Sequence, residues 1–385
     1  MCPAAFRYRR MKKSNTANQV NGVGELDDYS IVVHSHLKWD WVWQRPQQFL
    51  ARLSRRHSVL FVESPDACDD APATRADDTP WVDQERRRVV QSILSGPLGE
   101  KFSSIVQWFY DPMAISGFAR QLNEQLIVYD CMDELSLFRG APPQLIDRER
   151  ELLGIADIVF AGGPKIWRAK HKLNRNCFCY GCGVDAEHFG KARDPEGRLP
   201  DELADLPHPI FGYIGVVDER IDYKLLAHLA ASAKGSVVMI GPWTKVDPAS
   251  FPRRSNLHWL GGRDYSDLPS YAKGFDVCIM PFARNEATRF INPTKALEYM
   301  ATGRPIVSTP VEDVVAQFSN VITIAQDASR FAGACTRAAV RPQWWRIDRG
   351  LELAARNSWD SIVARLERQI AEALRTRGAL TVKAA

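Results

Sequence analysis

The chain has 385 residues, 45% hydrophobic and 25% charged, with a formal net charge of +4. Those are ordinary values for a globular protein with enough apolar material for two cores. The mild charge gives no argument for nucleic acid, and no apolar run is long enough for a membrane-spanning helix. The N-terminus lacks the apolar stretch of a signal peptide, and the eight cysteines are irregularly spaced. Both features read as reduced thiols in a cytoplasmic protein.

Residues 1–28 read as a polar, poorly ordered arm. Arg7, Arg9, Arg10, Lys12 and Lys13 cluster there, and Arg86, Arg87 and Arg88 cluster later. Such runs are either solvated charge or contacts with an anionic membrane surface. A first domain over 29–189 comes next. Tyr29–Val33 is a β-branched run, hence a strand, and it ends at His34-Ser35-His36. Arg45-Pro46 opens a helix with apolar residues at Phe49, Leu50 and Leu53. Ser58–Val62 is a strand, and 64–80 reads as a loop. Ile105–Phe109 and Leu126–Tyr129 are further strands, with a helix over Ala114–Leu122 between them. An amphipathic helix over 143–156, a strand at Ala156–Phe160 and a helix over Pro164–Leu173 complete an alternating pattern. That alternation is the signature of a parallel sheet covered on both faces. Cys177 and Cys179 alternate with Phe178 and Tyr180, which suits a short strand. With Cys182 they also raise a metal site, but no fourth ligand stands at a recognisable spacing; His171 and His188 are merely nearby.

Residues 190–209 hold four prolines and many charges, and read as an interdomain linker. The pattern then restarts in a second domain over 210–354. Strands are expected at Ile210–Ile214, Val237–Ile240, Leu257–Leu260, Val277–Met280, Ile306–Ser308 and Val321–Ile324. Helices are expected over 222–233, 268–273 and 293–302. The segment 355–385 is a C-terminal helix and tail, with Ile362, Val363, Leu366, Ile370 and Leu374 on one stripe. Two doubly wound α/β units in tandem bind ligands outside the carboxyl ends of their strands, and the cleft between two such units is the default site.

The most informative stretch runs from Phe290 to Pro305. Asn292 suits an N-cap, Pro293 the first helical position and Gly303 the stop. Lys295 then lies in the first turn, where a cation opposes the helix dipole, and such local conflicts tend to mark functional sites. Helix-start amides plus one ammonium would cradle a pyrophosphate. Glu298 lies on the same face, about 4.5 Å along the axis, where it would accept hydrogen bonds from a ribose diol. An ordinary surface Lys–Glu pair is the alternative.

This segment resembles the donor-binding helix of the GT-B glycosyltransferases, especially glycosyltransferase family four and related bacterial exopolysaccharide and teichuronic-acid-type enzymes. Glu298-Tyr-Met-Ala301-Thr-Gly303-Arg-Pro305-Ile306-Val307 matches the second Glu of the family's Glu-x7-Glu element and the apolar segment beyond it. Phe290 stands where the first Glu would be, which leaves retaining or inverting stereochemistry open. Asn292, Pro293, Lys295, Glu298 and Tyr299 fit an N-P-x-K-x-x-E-Y pattern of a divergent bacterial group. Gly183-Val184-Asp185 with Phe189, Gly212-Tyr213-Ile214-Gly215, Asp267-Leu268-Pro269, Phe275-Asp276-Val277 and the Trp39–Glu63 unit agree in order and spacing.

The resemblance implies a GT-B fold of two facing Rossmann-like domains and a metal-independent, hexosyltransferase-type enzyme. It implies a nucleotide-sugar donor, UDP-linked, as substrate and no separate cofactor. Donor contacts would come from Lys295, Glu298, Asn292, Pro293, Thr294, Arg220, Gly215, Gly262 and Arg263. Arg220 would replace the usual family Arg, which is Val216 here; Lys224 is the other nearby cation. The acceptor would be a saccharide or lipid-linked saccharide of bacterial surface polysaccharide or glycoconjugate synthesis, at the inner face of the plasma membrane.

On the acceptor side, Asp130, Asp133 and Glu134 place three carboxylates within five residues at a strand end. Mutual repulsion would raise their pKa values and poise one as a general base. Inverting relatives with a similar segment use an Asp at the position of Asp133, so Asp133, with Asp130, is the expected catalytic pair. The alternative is that they cap a turn. His34, His36, Arg45 and Gln48 lie on the same edge, either touching the acceptor or serving only packing. Two other functions share the fold: a sugar-nucleotide 2-epimerase and a non-catalytic nucleotide-sugar-binding protein.

Overall fold

The computed structural model describes residues 8–11, 29–40, 42–64, 80–138, 140–244 and 246–384. Contacts divide the chain into two compact units, Met1–Gly181 with Asp360–Ala385, and Cys182–Trp359.

The first unit holds strands β1 (Tyr8–Met11), β2 (Ser30–Ser35), β3 (Ser58–Glu63), β4 (Ile105–Phe109), β5 (Leu126–Cys131), β6 (Ile158–Ala161) and β7 (Cys177–Cys179). Their order is β1-β3-β2-β4-β5-β6-β7, parallel throughout except for β1, which pairs antiparallel with β3. β2 and β5 are buried along their whole length, as apolar strands covered on both faces must be. Helices α1 (Arg45–Leu53), α2 (Pro80–Ser95), α3 (Ile115–Phe118), α4 (Leu145–Ile155) and α5 (Pro164–Lys170) connect them. Three features depart from the expectation. β1 lies inside the segment read as a poorly ordered arm; the rest of that arm and 65–79 lie outside the described residues. The charged run around Arg86–Arg88 falls on α2, which the sequence reading missed because charge masks its apolar spacing. The helix expected over Ala114–Leu122 shrinks to α3, since Ala119 (ψ 129°) leaves helical geometry and Arg120 (φ 59°) turns left-handed.

The second unit holds β8 (Ile210–Ile214), β9 (Ser236–Ile240), β10 (Leu257–Trp259), β11 (Val277–Met280), β12 (Ile306–Ser308) and β13 (Thr323–Ile324). Their order is β10-β9-β8-β11-β12-β13, all parallel. This is the doubly wound order whose sequence reverses between the first and fourth strands. Helices α6 (Ala186–Gly190), α7 (Asp201–Ala204), α8 (Tyr223–Ser232), α9 (Leu268–Lys273), α10 (Lys295–Thr302), α11 (Glu312–Phe318), α12 (Ala328–Val340) and α13 (Trp344–Arg356) flank the sheet. The segment 190–209 belongs to this unit. Ala192 and Leu203 are buried in its core, and Lys273 Nζ donates to the carbonyls of Asp194 (2.6 Å) and Pro195 (3.0 Å). Prolines and charges there shape a folded surface segment. The last helix, α14 (Trp359–Ala384), buries Ile362, Val363, Leu366 and Ile370. Its Glu367 is buried too and meets His57 Nε2 at 3.1 Å and the Arg56 guanidinium, which fixes the tail to the first unit.

Candidate active site

At the point where strand order reverses in the second unit, β8 and β11 lie side by side, and sheets of this order bind ligands beyond the carboxyl ends of such strands. Glycines end three adjacent strands there. Gly215 has φ +153° and Gly241 φ +145°. A Cβ on Gly215 would lie 2.0 Å from Lys295 Cε, and one on Gly241 would lie 1.9 Å from the Gly215 carbonyl oxygen. Only glycine permits both the backbone and the close approach. Gly215 N–H donates to Ile240 O at 2.7 Å and Gly241 N–H to Gly261 O at 2.8 Å. The three strand ends are thereby laced into one floor.

Helix α10 stands over that floor. Tyr299 fixes it: its hydroxyl, fully buried, accepts from the Ile214 N–H at 2.7 Å. Gly303, with φ +70°, ends the helix as expected. The start differs. Thr294, in helical conformation, precedes Lys295, and Asn292 and Pro293 lie outside the helix. The N–H groups of Ala296, Leu297 and Glu298 donate to Pro293 O and Thr294 O at 3.1 Å. These three amides are occupied within the first turn and are not available to a ligand. The Lys295 ammonium lies against Gly215, 2.8 Å from where a Cβ would be.

Lys295 and Glu298 are both half-buried. Among the described residues, neither side chain forms a hydrogen bond or ion pair with a protein group. Burial holds the Lys295 ammonium below the ordinary lysine range; the charge of Glu298 opposes that shift and Arg220 adds to it. Burial raises the Glu298 carboxyl, and Lys295 opposes. A cation and a carboxylate kept from water, without protein partners, cost stability unless something else meets them.

The other expected donor residues divide. Arg220 makes a bidentate pair with buried Asp218, Nε to both oxygens at 3.0 Å and a terminal nitrogen at 2.7 Å. The loop that carries it is stitched to the end of β11 by Ala283 N–H to Arg220 O and Asp222 N–H to Pro281 O. Arg220 is therefore a fixed, partly neutralised charge. Lys224 is exposed on α8. Arg263 bonds Tyr271 Oη (2.7 Å), the Gly262 carbonyl (2.8 Å) and Glu202; its guanidinium serves the 190–209 segment, so any donor contact here falls to the backbone around Gly262 to Asp264. Gly262 is exposed beside Pro242. Cys182 Sγ donates to the Asn292 carbonyl (2.9 Å) and accepts from Thr294 Oγ1 (3.3 Å). Asn292 and Thr294 thus shape the approach to α10. Sequence reasoning missed Asp218, Gly241 and the clamping role of Tyr299. An acid two residues before Arg220 was the one visible signal.

In the first unit, Asp130 is fully buried and accepts from Arg45 Nε at 2.9 Å, with a second guanidinium nitrogen 2.9 Å from the same oxygen as an ion-pair contact. Burial still raises its pKa, with Arg45 opposing. Arg45, buried as well, also donates to Tyr180 O at 2.6 Å. These two hold β5 to the end of β7 and have no surface to offer an acceptor, against the expectation for both. His34 is buried between Phe109 and Phe118, with Nε2 2.9 Å from Gln107 Oε1. Gln48 is buried and accepts from Arg52 at 2.6 Å. Both are packing residues. Glu134 pairs with buried Lys170 at 2.7 Å, and Lys170 also meets Glu149 at 2.6 Å. His36 is half-buried, its Nδ1 3.2 Å from Tyr110 O. Asp133, just past the end of β5, is half-buried and so keeps the solvent-facing surface that Asp130 lacks. Cys177 and Cys179 lie on β7. Among the described residues no cluster of three or more His, Cys, Asp or Glu could hold a metal, and no helix is long and apolar enough to cross a membrane.

Residues 208–339 match the family model described as glycosyl transferases group 1. TuaH of Bacillus subtilis strain 168, named as a glycosyltransferase of teichuronic acid biosynthesis, is 28% identical over 104 residues. That match spans 26% of this chain and 26% of TuaH. Among solved structures, sucrose-phosphate synthase from Thermosynechococcus elongatus superposes with a TM-score of 0.66 at 16% identity, covering 90% of this chain and 100% of that one. HepE of Anabaena, in complex with UDP and glucose, gives 0.61 at 13% identity with coverage of 90% and 100%. An E. coli trehalose-6-phosphate protein bound with UDP-2-fluoro glucose gives 0.60 at 14%, with coverage of 90% and 99%. The chain thus has a GT-B-like architecture, two Rossmann-fold domains with parallel sheets and C-terminal helices.

Proposed function

We propose that the chain is a glycosyltransferase that moves a sugar from a nucleoside-diphosphate sugar to a saccharide or lipid-linked acceptor. The carrying observation is the Lys295 ammonium, half-buried over Gly215 and without a protein hydrogen bond among the described residues. A diphosphate would supply its missing acceptors. A leaving group's developing charge would be stabilised by that ammonium and by the fixed Asp218–Arg220 pair nearby. Glu298 would accept from the ribose diol. A UDP-linked donor is the preferred reading, since two of the similar solved structures hold UDP or a UDP sugar. The name of TuaH supports an acceptor in bacterial surface polysaccharide synthesis. A metal-independent reaction at the cytoplasmic face of the membrane goes with that reading.

Asp133 is the proposed general base. It lies at a strand end and is half-buried, whereas Asp130 is sealed against Arg45. If the reaction inverts, Asp133 takes the acceptor hydroxyl's proton as the oxygen attacks the anomeric carbon and the diphosphate leaves. If it retains, attack and departure share one face of the sugar and no base of this kind is required.

Calorimetric titration with UDP and a panel of nucleotide sugars tests the donor site. Lys295→Ala should weaken binding about a hundredfold, the worth of a desolvated charge-assisted contact; equal affinity in both proteins removes Lys295 from the site. In a transfer assay, Asp133→Asn should lower kcat about 10²- to 10⁴-fold with donor affinity unchanged. Conversion of the nucleotide sugar with no acceptor present would instead identify an epimerase. Product anomer analysis decides the stereochemistry that Phe290 leaves open.

A further inference from the structure

Lys295 and Arg304 mark opposite ends of the α10 segment, and the Arg304 end opens a different feature of the second unit. A cavity of about 700 Å³ lies there, bounded by residues of α10, α12 and α13. Its floor is apolar, with Met300, Ile306 and Ile347, and its wall carries four arginines, Arg304, Arg337, Arg341 and Arg346, and no carboxylate. Arg304 donates to the Lys273 carbonyl at 2.6 Å. Arg346 donates to the carbonyls of Ser319 (3.2 Å) and Ile322 (3.3 Å). Both are thus anchored by neutral groups that leave their charge in place. Arg346 Nε is buried with no hydrogen-bond partner among the described residues. Arg337 and Arg341 are exposed and form no ion pair among the described residues.

The elbow joining α12 to α13 forms the rim of this cavity. Within six residues it exposes Val340 (72%), Trp344 (67%) and Trp345 (58%). An Arg346 guanidinium lies 4.9 Å from the Trp345 ring. From Arg337 to Arg346 the chain carries three arginines and no carboxylate, while Arg349 beyond them pairs with Glu352 at 3.2 Å. Tryptophan rings settle at the boundary between lipid headgroups and acyl chains, and arginines around them meet headgroup phosphates. An apolar wedge beside Arg337 and Arg341, which form no ion pair among the described residues, is complementary to an anionic bilayer on both counts.

We propose that the α12–α13 elbow docks on an anionic lipid bilayer, with Val340, Trp344 and Trp345 entering the headgroup–acyl boundary and Arg337 and Arg341 contacting lipid phosphates. The surface is separate from the donor site and stands whether or not the donor reading does. It also differs from the basic N-terminal cluster, most of which lies outside the described residues.

Flotation of the full chain with vesicles of phosphatidylcholine alone, or of phosphatidylcholine mixed with phosphatidylglycerol, tests the docking. The wild type should float only with the anionic vesicles, and the bound fraction should fall as salt rises. Trp344→Ala/Trp345→Ala should weaken partitioning about tenfold. Arg337→Gln/Arg341→Gln should weaken it about thirtyfold, since each neutralised cation forfeits about 1 kcal/mol. All four positions are exposed, so unchanged far-UV spectra and melting temperatures will certify folded variants. UDP binding should be unchanged in both. Three outcomes overturn the proposal: no flotation with anionic vesicles, flotation unaffected by both double variants, or an equal loss from Lys12→Gln/Lys13→Gln. The last would show charge acting wherever it lies on the chain.

Discussion

The first unit pairs the charges gathered near the end of β5, while the second leaves two charges of α10 without a protein partner among the described residues. At the end of β5, Asp130 is met by Arg45, and Glu134 and Glu149 share Lys170. At the end of β8, Lys295 and Glu298 feel each other's charge and bond to nothing among the described residues. The sequence signals differed, since Asp130 stands at a strand end and Lys295 and Glu298 at the start of a helix, but each set holds acid and base close together. What separates them is pairing with an opposite charge. A charge held by an ion pair within the protein contributes to architecture, and one held from water with no protein partner is poised for a ligand.

The largest expected effect breaks the first half of that contrast. Arg45→Ala strands the Asp130 carboxylate in the core and removes the donor to Tyr180 O. It should cost about 3–5 kcal/mol of stability, read from the shift in a urea unfolding midpoint. Replacing both partners, Arg45→Met with Asp130→Leu, should recover most of that, because an apolar pair carries no unmet charge. A cost under about 1 kcal/mol for the single variant would mean the pair holds nothing together.

Lys295→Ala is the mirror experiment. It removes a charge that the ligand-free protein does not use. Stability should hold or rise, because an unmet charge leaves a half-buried position, while the affinity for UDP falls about a hundredfold. A large loss of stability with little loss of affinity would place Lys295 with Arg45 among architectural charges and dissolve the contrast. Between the two lies Tyr299→Phe. The Ile214 N–H would lose its 2.7 Å acceptor in a buried setting, at a cost of about 1–2 kcal/mol. Because Tyr299 also sets where α10 stands over Gly215, UDP affinity should weaken alongside stability, though by less than with Lys295→Ala.

The architecture was legible because parallel strands buried on both faces leave an uninterrupted apolar, β-branched signal, as in Ile31–Val33 or Val277–Met280. The elements that escaped lack such a signal. α2 is masked by its arginines, and β1 gains its place only by pairing with β3, a long-range event invisible in four residues. The proline-rich 190–209 segment read as a linker because composition reports flexibility poorly when Leu203 and Ala192 are buried by partners far along the chain. Within the site, Lys295, Glu298 and Gly215 were readable from helix and strand ends. The burial that separates Asp130 from Asp133 was not. Asp130 is sealed by a side chain that crosses from α1, and local spacing carries no trace of Arg45 arriving from 85 positions away.

The smallest expected effect sharpens the contrast through pH. Burial depresses the Lys295 ammonium, and Arg220 depresses it further, while Glu298 works against both. A bound diphosphate would bring negative charge and acceptors to the same ammonium and so raise its pKa. The bound value then lies above the ligand-free value. Binding takes up a proton in the window between them. Affinity for UDP should be full below the ligand-free value, decline as pH rises through the window, and level off above the bound value. The slope can reach at most about tenfold per pH unit for one proton. Calorimetry in buffers of different ionisation heat, from neutral pH upward, reads the proton uptake directly. Lys295→Arg keeps the charge and does not titrate in this range, so it should flatten the profile while retaining part of the affinity. A wild-type profile as flat as that of Lys295→Arg would mean that the ammonium does not meet the diphosphate. Lys295 would then be no different in kind from the paired charges of the first unit.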